Sequence, residues 1–363
     1  MEHLASYIIG FLITIALVWG LQPIARFFNL VDKPGGRKKH SGNIPIIGGI
    51  AMYIGLVITL STVGEPPLQS LMGLLMGGGL LLLVGTIDDI RALSPYTRFL
   101  TQITAALLMV LNGDVILSDM GMIAGGEKLE LGMMAVPLTV FATVGVINAM
   151  NMSDGMDGLA GGMATITLLG IGILAGGSNF FYLYPAIICV ILAFLYFNLR
   201  TPWRSKAKIF MGDGGSMFLG FVIAWSLIQL SQGESAAFSP VIALWLFALP
   251  LLDTVCIMLR RIIKGRSPFA PDREHFHHIL LLANYTPAQA VWIMLALAAS
   301  MASIGLAGFY AGVSETSMFI GFLVMFGLYF WGMSHAWKLM KTLSRRRGFQ
   351  SRSSNSASSK ISD

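Results

Sequence analysis

Long apolar stretches recur along nearly the whole chain, and this pattern limits the fold more than any other feature. Segments of near-spanning length lie near residues 4–23, 46–63, 69–87, 98–112, 134–152, 158–176, 181–198, 214–231, 238–259, 289–311 and 317–340. A helix needs about 20 residues to cross the hydrocarbon core. The segments therefore predict an all-α, polytopic integral membrane protein with about eleven transmembrane helices. The fourth is short, which leaves ten or twelve open. Composition agrees, because 55% of the 363 residues are hydrophobic and only 12% charged, about half the charge of a typical soluble domain. The first run follows Glu2 and His3, with no cleavage pattern before Arg26, and is expected as a retained helix. Cys189 and Cys256 each sit inside an apolar run, which argues against a disulfide framework or a zinc site.

Basic residues set the expected orientation, because cytoplasmic loops retain Lys and Arg. With the N-terminus outside, alternate loops collect Arg26 to Lys39, Arg91 and Arg98, Arg200 to Lys208, Arg260 to Arg273, and the C-terminal cations. Of the 24 Lys and Arg, only Lys128 then falls outside. The expected topology is a periplasmic N-terminus and a cytoplasmic C-terminus. Residues 1–343 are expected as one multi-helix membrane domain, and 344–363 as a basic, Ser-rich disordered tail. Within 113–133, Gly125-Gly126 and the alternation Lys128-Leu129-Glu130-Leu131 suggest a small β-hairpin.

The same topology brings four polar clusters to one face. Asp88-Asp89 ends an apolar run, and adjacent carboxylates suit a divalent cation or a raised-pKa base; a solvated helix end is the plain alternative. Asn148, Asn151, Asp154-Gly155 and Asp157-Gly158 combine amides and carboxylates with glycines that permit sharp turns. The alternative there is a helix-breaking loop with Asp caps. Phe210-Met211-Gly212-Asp213-Gly214-Gly215-Ser216 opens a helix whose free N–H groups favour anions, against a simple Asp cap and a core Phe. His275-Phe276-His277-His278 follows the basic stretch through Arg266 and suits phosphate better than zinc; a surface histidine cluster is the alternative. The loop 32–49 carries Lys33, Lys39 and His40, which read equally as topology signals. Asp253 lies inside the ninth apolar run, where a carboxylate is a functional candidate or a partner of Arg260 or Arg261. Several acids, cations and histidines on one face suit a Mg²⁺-bound, phosphate-rich substrate, and the membrane setting suggests a lipid co-substrate.

These motifs, in this order over residues 32–278, resemble the polyprenyl-phosphate N-acetylhexosamine-1-phosphate transferases. The His-x-His-His form and eleven spans resemble the branch that transfers GlcNAc-1-phosphate. The enzyme of the first peptidoglycan lipid step has three consecutive histidines and ten spans. The resemblance implies transfer of GlcNAc-1-phosphate from UDP-GlcNAc to undecaprenyl phosphate, with release of UMP. That reaction starts O-antigen or enterobacterial common antigen synthesis at the cytoplasmic face of the bacterial inner membrane. It implies Mg²⁺ or Mn²⁺, with Asp213 and Asp88 as metal ligands and Asp88 and Asp89 as catalytic residues. Asn151, Asp154, Asp157 and Phe210 would then meet the uridine or sugar-phosphate. Lys33, Lys39, His40, Arg266, His275, His277 and His278 would contact the substrates elsewhere. Ser153 stands where Val, Leu or Thr is expected. The expected partners are UDP-GlcNAc, undecaprenyl phosphate and membrane lipids, not nucleic acid, and a homodimer is open. Another UDP-N-acetylhexosamine, or UDP-MurNAc-pentapeptide, is the alternative donor. A secondary transporter is the alternative class, disfavoured because no internal repeat is visible.

Overall fold

The structure, a computed structural model, describes residues 3–33, 42–65, 67–201, 204, 206–267 and 275–358, the side chains of Ser70 and 337–358 excepted. Thirteen helices follow one another among these residues. They are α1 (Leu4–Phe27), α2 (Gly48–Val63), α3 (Met72–Ile90), α4 (Pro95–Gly113), α5 (Ala135–Ser153), α6 (Leu159–Leu174), α7 (Leu183–Asn198), α8 (Gly212–Gln229), α9 (Pro240–Leu246), α10 (Ala248–Ile263), α11 (Phe276–Leu282), α12 (Pro287–Tyr310) and α13 (Glu315–Ser358). A two-strand antiparallel ribbon, β1 (Val31–Asp32) with β2 (Ile44–Pro45), precedes α2.

The protein is an all-α multi-pass membrane protein. By length and composition, five helices among the described residues are able to cross a bilayer: α1, α3, α5 with its preceding turn, α12 and α13. The pair α9–α10 makes a sixth if its 85° bend is one broken span. Shorter apolar helices α2, α6 and α7 fall on expected segments, as do α4 and α8. Helix starts follow local chemistry. Ser94 caps α4 by accepting from the Thr97 amide, with Pro95 in the first turn. Thr286 and Gln289 form a reciprocal capping box on α12.

Helix α8 is the axis of the bundle. Every residue from Gly214 to Ile228 is buried, so it is apolar all round and has no polar face. Helices α3 and α5 pack along it, and α2, α6 and α9 complete the wall. On the periphery, Leu4, Ile8, Leu12 and Trp19 of α1 and Ile320, Val324, Leu328 and Trp331 of α13 are exposed. Such a continuous apolar exterior suits lipid, not water.

The bend between α9 and α10 falls at Phe247, three residues before Pro250, which donates no amide hydrogen. The Leu246 carbonyl at the bend accepts from Thr167 Oγ1 at 3.0 Å, which satisfies a group that lipid would leave unpaired. An apolar cavity opens beside the bend, walled by Val146, Ile228, Val241, Leu244, Phe247 and Phe319 among others.

The expected hairpin in 113–133 is present as a folded-back loop: the Met120 amide donates to Leu129 O and the Leu129 amide to Gly121 O, both at 3.0 Å. The last helix departs from expectation. It runs to Ser358, through most of the segment whose serines suggest an unstructured tail. The basic run Arg345-Arg346-Arg347 is made of good helix formers and continues the preceding span.

Candidate active site

Close glycine contacts assemble the site. Gly85 of α3 lies against Gly214 of α8, and Gly49 of α2 against Gly215; a Cβ on any of the four would overlap the facing backbone. In lipid, small residues let helix backbones approach where no hydrophobic force drives them together. These two contacts hold the start of α8, with Asp213, beside the end of α3, with Asp88 and Asp89. Gly212 has φ 78°, a turn that only glycine makes without strain. The ribbon joins the same place: the Phe210 amide donates to Pro45 O (2.9 Å), and the Gly48 and Gly49 amides donate to Phe210 O and Met211 O (2.9 and 3.1 Å).

The two adjacent acids do different things. Asp89 turns inward and accepts from the Asp213 amide with both oxygens, at 3.1 and 3.2 Å. It caps the free N-terminus of α8 from another helix, where a negative charge is favoured. Asp88 accepts from the Leu93 amide at 2.6 Å with one oxygen and turns the other towards Arg98. Arg98 Nη1 sits between Asp88 and Asp213, 3.2 Å from Asp88 Oδ2 and 3.3 Å from Asp213 Oδ2. Arg98 Nη2 donates to Asn151 Oδ1 (3.2 Å), while Asn151 Nδ2 donates to Asp213 Oδ1 (3.1 Å) and Ser216 Oγ (2.9 Å). Asp88 is 7% exposed and Asp213 39%, so an incoming ligand meets Asp213 first.

The loop after α5 is pinned from below. Asn198 is buried, accepts from the Gly158 amide at 2.7 Å and donates to Ile209 O at 2.9 Å. Asp157 pairs with Arg200 Nε at 2.6 Å, so its carboxylate fastens the loop to the α7 end. Asp154 stays inside the cluster. Burial first, and then the charges of Asp213, Asp89 and Asp157, raise its carboxyl well above the ordinary carboxylate range.

The histidines close the other side. His277 is buried and lies against Gly155, where an added Cβ would come within 2.9 Å of Nε2. Its ring stacks on His275 (centroids 5.6 Å apart, 12° between planes) and tilts against His278 at 4.1 Å. Burial, reinforced by His278 and His275, pushes the His277 pKa down to about 3. A pKa there leaves this imidazole uncharged at physiological pH. Asp253 reaches the same cluster: His275 Nδ1 lies 2.8 Å from Asp253 Oδ2.

Asp88, Asp89, Asn151, Asp154, Asp213 and His277 are thus brought into one connected cluster, with Phe210 bridged to Ile46 beside it. Lys33 is exposed at the end of β1, and Arg266 is exposed beyond α10. Lys39 and His40 lie outside the described residues. Arg98, Asn198 and Arg200 are site-building residues that the motifs alone do not mark. Arg98 is the plainest case, because a cation at a helix start also serves as a topology signal.

A divalent ion fits the donor set in one way. Among the described residues no group of three His, Cys, Asp or Glu gathers as a cage. Two carboxylate oxygens from separate helices nevertheless point at one positive centre, the Arg98 guanidinium. Mg²⁺ is commonly held by one or two carboxylates with the remaining positions taken by water and substrate phosphate.

Comparison with known proteins matches residues 71–231, α3 to α8, to the family described as glycosyl transferase family 4. The matched span contains all the carboxylates of the cluster and ends before the histidines. The undecaprenyl-phosphate alpha-N-acetylglucosaminyl 1-phosphate transferase of Escherichia coli (strain K12) is 38% identical over 340 residues, 92% of each chain. The protein of that description from Haemophilus influenzae is 39% identical over 90% of this chain and 93% of its own. The one from Pasteurella multocida is 39% identical over 95% and 97%.

Proposed function

This chain belongs to glycosyl transferase family 4, as a membrane phosphosugar transferase, and from that premise we propose that it moves GlcNAc-1-phosphate from UDP-GlcNAc to undecaprenyl phosphate, releasing UMP. The observation that carries the reading is the convergence of Asp88 and Asp213 on one cation position, with Asn151 bracing both the cation and Asp213. A donor diphosphate needs such a place, because phosphoryl transfer depends mainly on alignment and charge neutralisation.

In this reading a lipid phosphate oxygen attacks the donor β-phosphorus. The bond from that phosphorus to the bridging oxygen breaks, and UMP leaves with the electron pair. A phosphate monoester is mostly ionised near neutral pH, so Asp88 need not remove a proton. Together with Asp213 it would hold the metal, and it keeps the reacting phosphates in line. Mg²⁺ or Mn²⁺, held by Asp213 and Asp88, would supply positive charge to the diphosphate. Asp89 keeps α8 in place. Asn151, Asp154 and Phe210 face the nucleotide side. Neutral His277, with His278, hydrogen-bonds the sugar side, and Lys33, Lys39, His40 and Arg266 contact the substrates elsewhere.

The reading extends to topology. All eleven segments cross the inner membrane, the N-terminus is periplasmic, and the acid cluster faces the cytoplasm. The cations around the cluster, Arg98, Arg200 and Lys33, support that placement. The apolar cavity beside the α9–α10 bend suits an isoprenoid tail. The product is a diphosphate-linked lipid that starts O-antigen or enterobacterial common antigen.

A donor panel tests it. Purified protein, undecaprenyl phosphate and Mg²⁺ are given UDP-GlcNAc, UDP-GalNAc or UDP-MurNAc-pentapeptide separately, and UMP is measured. Release with UDP-GlcNAc alone is expected. Release only with another donor would keep the reaction and replace the sugar, and no release from folded protein would refute the proposal.

A further inference from the structure

Asp253 is a buried carboxylate in the middle of α10, 7% exposed. Such a group is costly unless it is fully paired. Its described partners come from far along the chain. Tyr329 of α13 donates its hydroxyl to Oδ1 at 2.9 Å, the Phe276 amide donates to Oδ1 at 3.1 Å, and His275 Nδ1 is 2.8 Å from Oδ2. A carboxylate only accepts, so the His275 proton sits on Nδ1. The Phe276 amide belongs to the first residue of α11. Asp253 therefore fixes where that helix starts as well as which way its leading histidine points. The Phe276 and Tyr329 rings meet edge to face at 6.1 Å, closing the group on the α13 side.

The link continues to the candidate site. His275 lies nearly parallel to His277, and His277 lies against Gly155, next to Asp154. A neutral, buried imidazole has no charge to hold it in place, so its direction is set by packing and by the ring beneath it. That ring is oriented by Asp253.

We propose that Asp253 is a positioning residue for the donor: it orients His275, through it His277, and with Tyr329 makes α13 a supporting wall of the site. This rests on the reading of His277 as a donor contact. Asp253 touches no substrate in this arrangement, so its loss acts on donor binding and not on the reacting phosphates.

The test uses the full-length protein in detergent with Asp253→Ala, Asp253→Asn and Tyr329→Phe, each checked for a cooperative melt. Asp253→Ala is expected to raise donor KM roughly tenfold, the size of one lost charge-assisted hydrogen bond, with kcat changed less than about threefold. The KM for undecaprenyl phosphate stays unchanged. Tyr329→Phe moves donor KM the same way by less. Asp253→Asn restores part of the loss, because its amide oxygen still accepts from Phe276 and Tyr329. ¹⁵N NMR of labelled histidines is expected to find His275 protonated on Nδ1 in the wild type and on Nε2 in Asp253→Ala. Unchanged donor KM in folded variants of an active enzyme overturns the proposal, as does an equal fall in all kinetic parameters that tracks the melt. An unchanged His275 tautomer overturns it whether or not the enzyme turns over. A wild type without turnover removes the donor assignment itself, while the tautomer still reports the Asp253–His275 link. If Asp253→Ala does not fold, the other two variants decide by the same criteria.

Discussion

Replacing Gly85 by alanine should disable the enzyme without unfolding it. A Cβ at Gly85 overlaps the Gly214 backbone, and the reciprocal Cβ on Gly214 would lie 2.8 Å from the Leu82 carbonyl oxygen. Both obstacles are main chain and cannot swing aside as a side chain would. The α3–α8 crossing must open by about 1 Å to restore ordinary contact, at a cost of about 1–3 kcal/mol. That opening stretches the Asp89–Asp213 amide bonds, now 3.1 and 3.2 Å, to about 4 Å and beyond hydrogen-bond reach. It also parts Asp88 from Asp213, the pair expected to hold the metal and phosphates. Misplacement by 1 Å costs about a hundredfold in rate. UMP release by Gly85→Ala should therefore fall about a hundredfold, with a lowered but cooperative melt. Gly145→Ala is the control, because a Cβ there meets nothing within 4 Å and activity should be unchanged. Wild-type turnover by folded Gly85→Ala would refute the idea that this crossing sets the geometry of the acids.

Other expectations follow from single residues. Asp213→Asn should abolish turnover at ordinary Mg²⁺ and leave the melt intact; full activity would remove Asp213 from the metal role. Arg98→Gln should lower stability in chelator by about 2 kcal/mol, since it leaves the buried Asp88 carboxylate with the Leu93 amide but without its cation. Added Mg²⁺ should recover much of that loss, and a melt indifferent to metal would show that the two acids do not share a cation position. His277 gives a pH signature. Its folded pKa of about 3 lies below the ordinary imidazole value of 6.5, so the unfolded chain takes the proton first and stability rises with pH between those values. At pH 5 the penalty is about 2 kcal/mol, and above pH 6.5 it vanishes. His277→Gln should flatten the melt between pH 5 and 7, and an unchanged slope would mean that His277 is not buried in the neutral form.

Much of this architecture was legible in the sequence because membrane helices announce themselves by length and apolarity. The expected segments fall on helices α1 to α10, α12 and α13, even where burial inside the bundle, as in α8, leaves no amphipathic face to read. The acids, amides and histidines of the cluster were legible too, since polar groups at apolar segment ends need a reason. The glycines have a second role that the sequence does not show. Gly214 and Gly215 read as an anion-binding helix start, and both also make backbone contact with Gly85 and Gly49, partners more than 120 residues away in the chain. Arg98 was hidden among topology-setting cations. Asp253 reads equally as a functional candidate and as a partner of Arg260 or Arg261; its described partners include the histidine before α11 and a tyrosine of α13, a pairing that only the fold brings about.

The most direct test follows the two donor phosphates separately. UDP-GlcNAc carrying ³²P in the β position is incubated with the protein, Mg²⁺ and undecaprenyl phosphate, and the lipid is extracted. Label in the lipid together with GlcNAc, matched by unlabelled UMP in the water phase, is the expected result, and Asp213→Asn should remove both. Label left in soluble UDP while GlcNAc enters the lipid would mean that the sugar moves without its phosphate, and would contradict phosphosugar transfer at this site.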